Sequence, residues 1–203
     1  LKNQLSEVVE SKANVITKSN AGKKAIVEFS SPNIAKPFTI GHLRSTIIGA
    51  AVANLLEETG FEVLRDNHLG DWGTQFGKLI YSIQHWGNIE DISKSERPVK
   101  ELVALYVQFH EEAENNPEIE DDAREWFKKL EQGDAEARKL WQMCIDWSWV
   151  EFEKIYQALD VKFSNEFDHS RGLGESFFEH KMQPVIEELE QKDLLKESEG
   201  AKL

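Results

Sequence analysis

The stretch between residues 25 and 66 constrains the fold most, because a strand, a helix and a second strand follow one another there within about 40 residues. Ala25–Ser30 and Phe61–Asp66 are both short, apolar and rich in β-forming residues. The intervening Gly41–Thr59 has the spacing of an amphipathic helix, and Gly60 is the expected stop. Strands joined by a helical crossover run parallel, so the sequence predicts an α/β fold with a parallel sheet.

One side of the predicted helix should pack against that sheet. Its apolar stripe consists of Leu43, Ile47, Ala50, Ala51 and Leu55. Residues that are three and four positions apart lie on the same side of a helix. We therefore expect these side chains to be buried.

The character of the sequence changes after Trp86, where a linker and then only helical patterns follow. The linker is the polar stretch GNIEDISKSERP, and residues 97–160 are interpreted as a helical insertion. We therefore predict three parts: residues 1–96 with the first half of the sheet, the insertion at 97–160, and a return segment at 161–203.

Three features of the later sequence lead to expectations about burial. Acidic residues crowd positions 111–125, which predicts a solvated helical face. A stripe of large apolar residues between Trp141 and Leu159 predicts the core of a helical layer. A last helix is predicted over Lys181–Leu195, where Pro184 is tolerated only near the first turn.

Composition limits the classes of function open to this chain. Its 203 residues carry a formal net charge of −13, which argues against sequence-independent nucleic-acid binding, since that needs a basic face. Cys144 is the single cysteine, so we expect a buried thiol in a reducing compartment and no internal disulfide. No apolar run approaches the roughly 20 residues that span a membrane.

Two loops lie beyond the carboxyl ends of the strands, where an open parallel sheet binds its ligands: Ser31–His42 and Asn67–Gly73. In the first loop, Gly41 and His42 begin the helix, whose free N–H groups and positive dipole end suit phosphate. Gly41 would let a ligand approach the backbone, and His42 could donate to a phosphate oxygen. Neither a P-loop nor a dinucleotide-binding glycine pattern is present. The alternative is a histidine satisfied by a nearby carboxylate.

Three stretches of the sequence carry a resemblance to a known family: VEFSSPNIAKPFTIGHLRSTIIG, RDNHLGDWGTQFGKLI and FDHSRGLGESFFEHKMQPVIEELEQKDLL. They closely resemble arginyl-tRNA synthetases, which are class I synthetases, and the likeness extends over nearly the whole chain. It implies one half of a Rossmann-like nucleotide-binding parallel sheet with a large helical insertion. It also implies an arginine–tRNA ligase, which activates arginine with ATP and transfers it to the 3′ end of the arginine tRNA.

The resemblance implies an ATP site at the start of the helix. The family's H-x-G-H signature falls on residues 39–42, with Thr39 at its first position in place of histidine. By this likeness Thr39 and His42 are the expected catalytic residues, and Lys36, Thr39, Gly41 and His42 are expected to bind ATP. The departure at Thr39 leaves a shorter hydroxyl donor there and makes His42 the principal phosphate ligand.

The resemblance also implies an arginine pocket made by Glu28, Ser31, Asn33 and His42. Glu28 interrupts an otherwise apolar strand and supplies a carboxylate for the guanidinium. The alternative for Glu28 is an ion pair with Arg65 on the neighbouring strand. For Asn33 the alternative is a plain turn residue after a proline.

The implied partners are ATP with Mg²⁺ as a substrate, L-arginine and the arginine tRNA, with no tightly bound cofactor and no metal bound by the protein itself. Trp72 is expected to stack on the terminal tRNA base, and its alternative is a wall of the pocket or core. A cytoplasmic monomer without membrane contact is expected.

The family's second signature, a lysine-bearing loop, would lie beyond Leu203, so we expect this chain to be a fragment of a catalytic domain that is inactive alone. Two other functions stay open from the residues: a nucleotidylyltransferase that shares the phosphate cradle, and a truncated, non-catalytic interaction module.

Overall fold

The structure is a computed structural model, and it describes residues 18–164, 171–198 and 201–202. Helices dominate this part of the chain, beside one pair of parallel strands and a short antiparallel pair. In chain order the elements are β1 (Lys24–Glu28), α1 (Ile40–Glu58), β2 (Glu62–Asp66), α2 (Gln75–Trp86), α3 (Ile89–Lys94), α4 (Pro98–Asn115), α5 (Glu118–Glu131), α6 (Ala135–Ala158), a 3₁₀ turn (Glu175–Phe178), α7 (Glu179–Gln191), β3 (Glu197–Ser198) and β4 (Ala201–Lys202).

The predicted strand–helix–strand unit is confirmed. β1 and β2 pair in parallel, from Lys24 opposite Glu62 to Glu28 opposite Asp66. The second strand has a further neighbour, because the Ser164 N–H donates to the Arg65 carbonyl at 3.0 Å and the Arg65 N–H donates to Ser164 Oγ at 2.8 Å. The chain that leaves the helical layer therefore returns beside β2 and forms hydrogen bonds with the backbone of Arg65.

Helix α1 lies where the sequence predicts a helix, but the buried side is different. Ile47 and Leu55 are 50% and 65% exposed, and Ala51 is exposed as well. Thr46 and Ala53 are the buried positions instead. The expectation that the apolar stripe is buried is therefore wrong for these three residues.

A close approach of α1 to the end of β1 explains this difference. A Cβ on Gly49 would lie only 2.1 Å from the Cβ of Phe29, so only glycine fits there. The helix therefore packs through its small residues, because these let its backbone come near the strand. The larger apolar side chains lie on the opposite side.

The region after Trp86 is helical throughout the insertion, as predicted, but the linker prediction is wrong. Residues Ile89–Lys94 form α3, whose start is capped by the Asn88 side chain accepting from the N–H groups of Glu90 and Asp91. Asparagine is a preferred N-cap because its side-chain oxygen satisfies free N–H groups of the first turn. A capped helix of six residues therefore forms inside this polar stretch.

Helices α2, α4, α5 and α6 form a layer that shares one core with the loop after β1. The buried side chains of this core are Phe29, Ile34, Ala35, Phe76, Leu79, Ile80, Ile83, Ile92, Leu102, Leu130, Ala137, Leu140, Cys144, Ile145, Trp147, Phe152, Tyr156, Val161 and Phe163. The acidic residues of 111–125 are largely exposed, as predicted, on the end of α4 and the start of α5. Division of the chain at residues 97 and 160 stays a prediction.

The last helix begins earlier than predicted. Helix α7 spans Glu179–Gln191, so Pro184 lies in its second turn and not in its first. A proline there cannot donate the intrahelical hydrogen bond to the carbonyl four residues back. Within the described residues, none of the helices is both long and apolar enough to span a bilayer.

Candidate functional site

The loop that follows β1 has an unusual backbone conformation. Ser30, Ser31 and Ala35 have φ angles of 76°, 49° and 58°, which is the left-handed region that residues with a Cβ rarely adopt. Such a conformation costs roughly 1–2 kcal/mol for each residue. Contacts from the rest of the protein must therefore hold this loop in place.

The Glu28 carboxylate and the Ser31 hydroxyl form one hydrogen-bonded group at the end of β1. Ser31 Oγ donates to Glu28 Oε1, and the Ser31 N–H donates to Asn67 Oδ1 at 3.0 Å. Glu28 is exposed, unlike the buried strand charge that the sequence suggested. Its second carboxylate oxygen is therefore open to a cation from solvent.

The alternative prediction for Glu28, an ion pair with Arg65, is wrong. Arg65 Nη2 instead donates to Glu57 and to Asn54, each at 2.7 Å, across the side of the sheet covered by α1. Val27 lies opposite Arg65 in the strand register, so Glu28 and Arg65 point to opposite faces of the sheet. An ion pair between them is excluded by the pleat.

Asn33 joins the two loops that follow the strands. It forms an isolated parallel bridge with Gly70, in which the Ile34 N–H donates to the Gly70 carbonyl and the Gly70 N–H donates to the Pro32 carbonyl, both at 3.1 Å. A Cβ on Gly70 would lie 2.1 Å from Asn33 Oδ1. Asn33 is thus more than a turn residue, because its side chain packs against a position that only glycine can occupy.

At the start of α1, Thr39 and His42 hold each other. The Thr39 N–H donates to His42 Nδ1 at 3.0 Å, and Thr39 Oγ1 lies 3.1 Å from the same nitrogen. A backbone N–H can only donate, so Nδ1 carries the lone pair and the proton of the neutral ring sits on Nε2. The carboxylate partner considered for His42 is therefore replaced by Thr39.

The helix start is open to a ligand. A Cβ on Gly41 would meet only Thr39 Oγ1, at an ordinary 3.5 Å, so the described part of the chain does not itself require glycine here. His42 Nε2 has no hydrogen-bond partner within that part. Lys36 is exposed and lies beside a small apolar cavity of about 120 Å³ with Pro37 and Gln75. His42 Nε2 can face an anion together with the N–H groups of the first turn, while ATP binding by Lys36 stays a prediction.

The return segment covers the loop that follows β2. The Leu173 N–H donates to Asp66 Oδ1 at 2.8 Å, and the Ser176 N–H and hydroxyl donate to the Asp71 carboxylate at 2.8 and 2.6 Å. Burial raises the pKa of the Asp71 carboxyl above its usual range, while the hydrogen bonds from Ser176 act in the opposite direction. The segment therefore fixes this loop through charge-assisted hydrogen bonds.

Trp72 lies in the loop after β2, and its ring packs against the helical layer. Its ring makes edge contacts with Phe127 and Trp141, at centroid distances of 5.8 and 5.7 Å, and Arg138 lies 4.9 Å above it. The Trp141 indole N–H also donates to the Asp71 carbonyl at 2.7 Å. These contacts fit the alternative of a wall residue, and stacking on a base stays a prediction.

Two residues of the site were not found from the sequence. Asn67 follows β2 directly and begins the second loop beyond the sheet, so the rule that ligands bind beyond the carboxyl ends of parallel strands could have selected it. Tyr156 is different, because it lies on α6, and its hydroxyl reaches Ser30 across 126 positions of sequence. No local pattern marks a contact of that kind.

Comparison with known proteins identifies the family of this fold. A family model described as class I tRNA synthetases (R), catalytic domain, matches residues 4–203. The arginyl-tRNA synthetase of Plasmodium falciparum has a solved structure that superposes with a TM-score of 0.69 at 32% identity, over 93% of this chain and 31% of that one. The likeness is therefore one of fold and of sequence.

Curated relatives point to the same family. The arginine–tRNA ligase of Exiguobacterium sibiricum is 56% identical over 180 residues, or 89% of this chain and 31% of that protein. The arginine–tRNA ligase of Clostridioides difficile is 49% identical over all of this chain and 35% of its own length. The chain spans about a third of the length of the curated relatives it matches. It belongs to the family of class I arginyl-tRNA synthetases and corresponds to part of their catalytic domain.

Proposed function

We propose that this chain supplies the arginine pocket and part of the ATP site of an arginine–tRNA ligase. The observation that carries the proposal is the Glu28–Ser31 group, which lies at the carboxyl end of β1 in the same loop that leads to the His42 helix start. Family membership supports ATP-dependent activation of arginine, and the relatives are named for that ligase activity.

The exposed Glu28 carboxylate suits the guanidinium of arginine. A carboxylate accepts two parallel N–H bonds from a guanidinium, which a lysine side chain cannot supply in the same geometry. Ser31 donates to one oxygen of Glu28, which fixes the direction in which the carboxylate faces. Selection of arginine then follows from the shape of the hydrogen-bonding group as well as from its charge.

The chemistry requires no nucleophile from the protein. The arginine carboxylate attacks the α-phosphorus of ATP, the bond to the bridging oxygen breaks, and pyrophosphate leaves with the electron pair. His42 donates its Nε2–H to a phosphate oxygen as negative charge shifts, and the N–H groups at the start of α1 stabilise the same charge. Mg²⁺ accompanies the ATP as part of the substrate.

The remaining partners are proposed on the same basis. The arginyl group passes to the 3′ end of the arginine tRNA, and Trp72 contacts the terminal base in this proposal. We also propose that the enzyme is a cytoplasmic monomer.

The test is the substitution Glu28→Gln in the full-length protein, which removes the charge at nearly constant shape. Loss of a charge-assisted bond of about 1.5–3 kcal/mol corresponds to a rise in the KM for arginine of roughly 10- to 100-fold. The KM for ATP should change little. ATP–pyrophosphate exchange, measured across the amino acids with and without tRNA, gives both values.

Glu62→Gln is the matched control, because Glu62 is also an exposed strand glutamate, and it forms an ion pair with the exposed Lys24 at 3.1 Å. It should leave both constants unchanged. A wild-type protein that activates another amino acid and not arginine would refute the proposed function. Equal changes in both constants for Glu28→Gln would show that Glu28 is structural. Residues 1–203 alone are expected to form no adenylate.

A further inference from the structure

A row of buried polar side chains lies behind the loop after β1. Tyr156 Oη is 2.8 Å from Ser30 Oγ, and Asn67 Nδ2 is 3.3 Å from Tyr156 Oη. Ser30 Oγ is also 2.8 Å from Thr46 Oγ1, which lies 2.7 Å from the carbonyl oxygen of His42. The row therefore connects the loop after β2, the helical layer, the loop after β1 and the start of α1.

Because each hydroxyl has one proton, the donor and the acceptor of every hydrogen bond in this row can be assigned. Thr46 has a single hydroxyl proton, and the His42 carbonyl can only accept, so Thr46 donates to His42. Ser30 must then donate to Thr46. Tyr156 in turn donates to Ser30, whose own proton is already used.

Asn67 completes the row, because its amide N–H donates to Tyr156. Its other end accepts the Ser31 N–H at 3.0 Å. The Asn67 amide is thus held at both ends, by Tyr156 on one side and by Ser31 on the other. Burial also raises the pKa of the Tyr156 hydroxyl, which keeps the proton that this direction requires.

We propose that Tyr156, on α6 of the helical layer, is a positioning residue for the arginine pocket. Its hydroxyl holds Ser30 directly and Ser31 through Asn67, and these two serines have the left-handed backbone that turns the Ser31 hydroxyl toward Glu28. The inference rests on the proposed arginine site at Glu28. It assigns to the helical insertion a part in substrate binding, although Tyr156 is 126 positions away from Ser30 in the sequence.

The hydroxyl and the ring of Tyr156 have separable roles. The ring packs against Phe163, Trp149 and Phe38 at centroid distances of 5.1, 5.8 and 6.0 Å. Tyr156→Phe keeps those contacts and removes only the hydroxyl. The Asn67 amide is then anchored at one end only, and it is free to turn away from Ser31.

The experiment measures adenylate formation by the full-length protein with Tyr156→Phe. We expect the KM for arginine to rise about tenfold, the effect of one displaced hydrogen bond, while the KM for ATP and kcat change less than about twofold. Tyr81→Phe is the control, because Tyr81 is also buried but packs on α2 against His85, Trp86 and Phe109. It should leave the KM for arginine unchanged.

A double variant separates positioning from general destabilisation. Ser30→Ala removes the acceptor of the same hydrogen bond, so Ser30→Ala with Tyr156→Phe should raise the KM for arginine no more than the larger single effect. Thermal melts of each variant show how much stability changes.

The outcomes distinguish the inference from the function on which it rests. A wild-type enzyme that activates arginine, with a Tyr156→Phe variant that melts at lower temperature but keeps its KM for arginine, would overturn the positioning role alone. Multiplicative effects in the double variant would overturn it as well. If the wild-type protein does not activate arginine, the proposed function itself is refuted.

Discussion

At the residue scale, the proposed role of His42 depends on which of its two ring nitrogens carries the proton. Thr39 presents both its N–H and its hydroxyl to Nδ1, which leaves the proton of the neutral ring on Nε2. Phe38 lies beside the imidazole at a centroid distance of 5.3 Å and limits its rotation. The threonine in place of the family's first histidine therefore contacts the ring of His42, and its part in binding phosphate stays a prediction.

His42→Ala in the full-length enzyme should slow adenylate formation by about 10²–10³-fold, because a preorganised donor to developing charge is lost. Thr39→Val should slow it only about tenfold, since the Thr39 N–H still fixes the tautomer. The affinity for ATP should fall much less than the rate in both variants. Pre-steady-state adenylation rates, with thermal melts to check folding, measure these effects. A larger effect of Thr39→Val would mean that its hydroxyl binds phosphate directly.

At the element scale, the return segment acts as a cover for the loop after β2. Besides the bonds to Asp66 and Asp71, the Glu175 N–H donates to the Leu69 carbonyl at 3.0 Å. The cover needs glycine where it comes closest, since a Cβ on Gly172 would lie 2.3 Å from the backbone oxygen of Asn67. Because Asn67 accepts the Ser31 N–H, the cover contacts a residue that supports the proposed arginine pocket.

Gly172→Ala should therefore detach this segment. Gly172 has a φ angle of 99°, so alanine adds backbone strain as well as the clash with Asn67. We expect hydrogen exchange of the Leu173 and Glu175 amides to speed up by about tenfold or more, which corresponds to roughly 1.4 kcal/mol or more of local stability.

Gly133→Ala is the matched control for this change. Gly133 has a φ angle of 79°, but in the described part of the chain no atom beyond its sequence neighbours lies within 4 Å of an added Cβ, so alanine there adds strain without the clash. Exchange of the Leu173 amide should be unaffected by Gly133→Ala. Unchanged exchange in Gly172→Ala would show that the cover does not depend on this approach.

At the scale of the whole molecule, the helical layer and the loop after β1 share a single core. Phe29 and Ile34 from the loop are buried together with Phe152 and Tyr156 from α6. A ring contact of 5.0 Å between Phe29 and Phe163 ties the return segment into the same core. Phe29 lies between Glu28 and Ser31 of the proposed arginine pocket in the sequence, so we expect opening of the core to disturb that pocket.

The rate at which the Cys144 thiol is alkylated can show whether this core opens. The thiol is fully buried, and burial raises its pKa to about 12. Because the thiolate is the reactive form, alkylation at Cys144 in native buffer should be slow, and it should stay slow from pH 7 to 9, where an exposed thiol of pKa near 8.5 would ionise.

Mass spectrometry of the peptide that contains Cys144 follows this alkylation. In urea, the same site should react at the rate of a free thiol, which supplies the control for the reagent. Fast native alkylation that increases with pH would show that the core opens without unfolding.

The sequence by itself determined the strand–helix–strand unit, the helical character of the later region and the end of the sheet where the ligands are expected. β1 and β2 have the short apolar patterns of strands, the start of α1 has its Gly41 and His42 signal, and the helical region follows from its 3.6-residue spacing. Each of these depends on residues that are near one another in the chain. Glu28 could be selected because it places a carboxylate in an otherwise apolar strand, whereas Asn33 was implied by the resemblance to arginyl-tRNA synthetases.

Only the tertiary structure decided which faces are buried and which distant residues complete the site. The outward position of Ile47 on α1 depends on the close approach of Gly49 to Phe29. The contact of Tyr156 with Ser30 joins residues 126 positions apart. Such pairings have no local spacing, because they arise from how the helical layer closes over the ends of the strands.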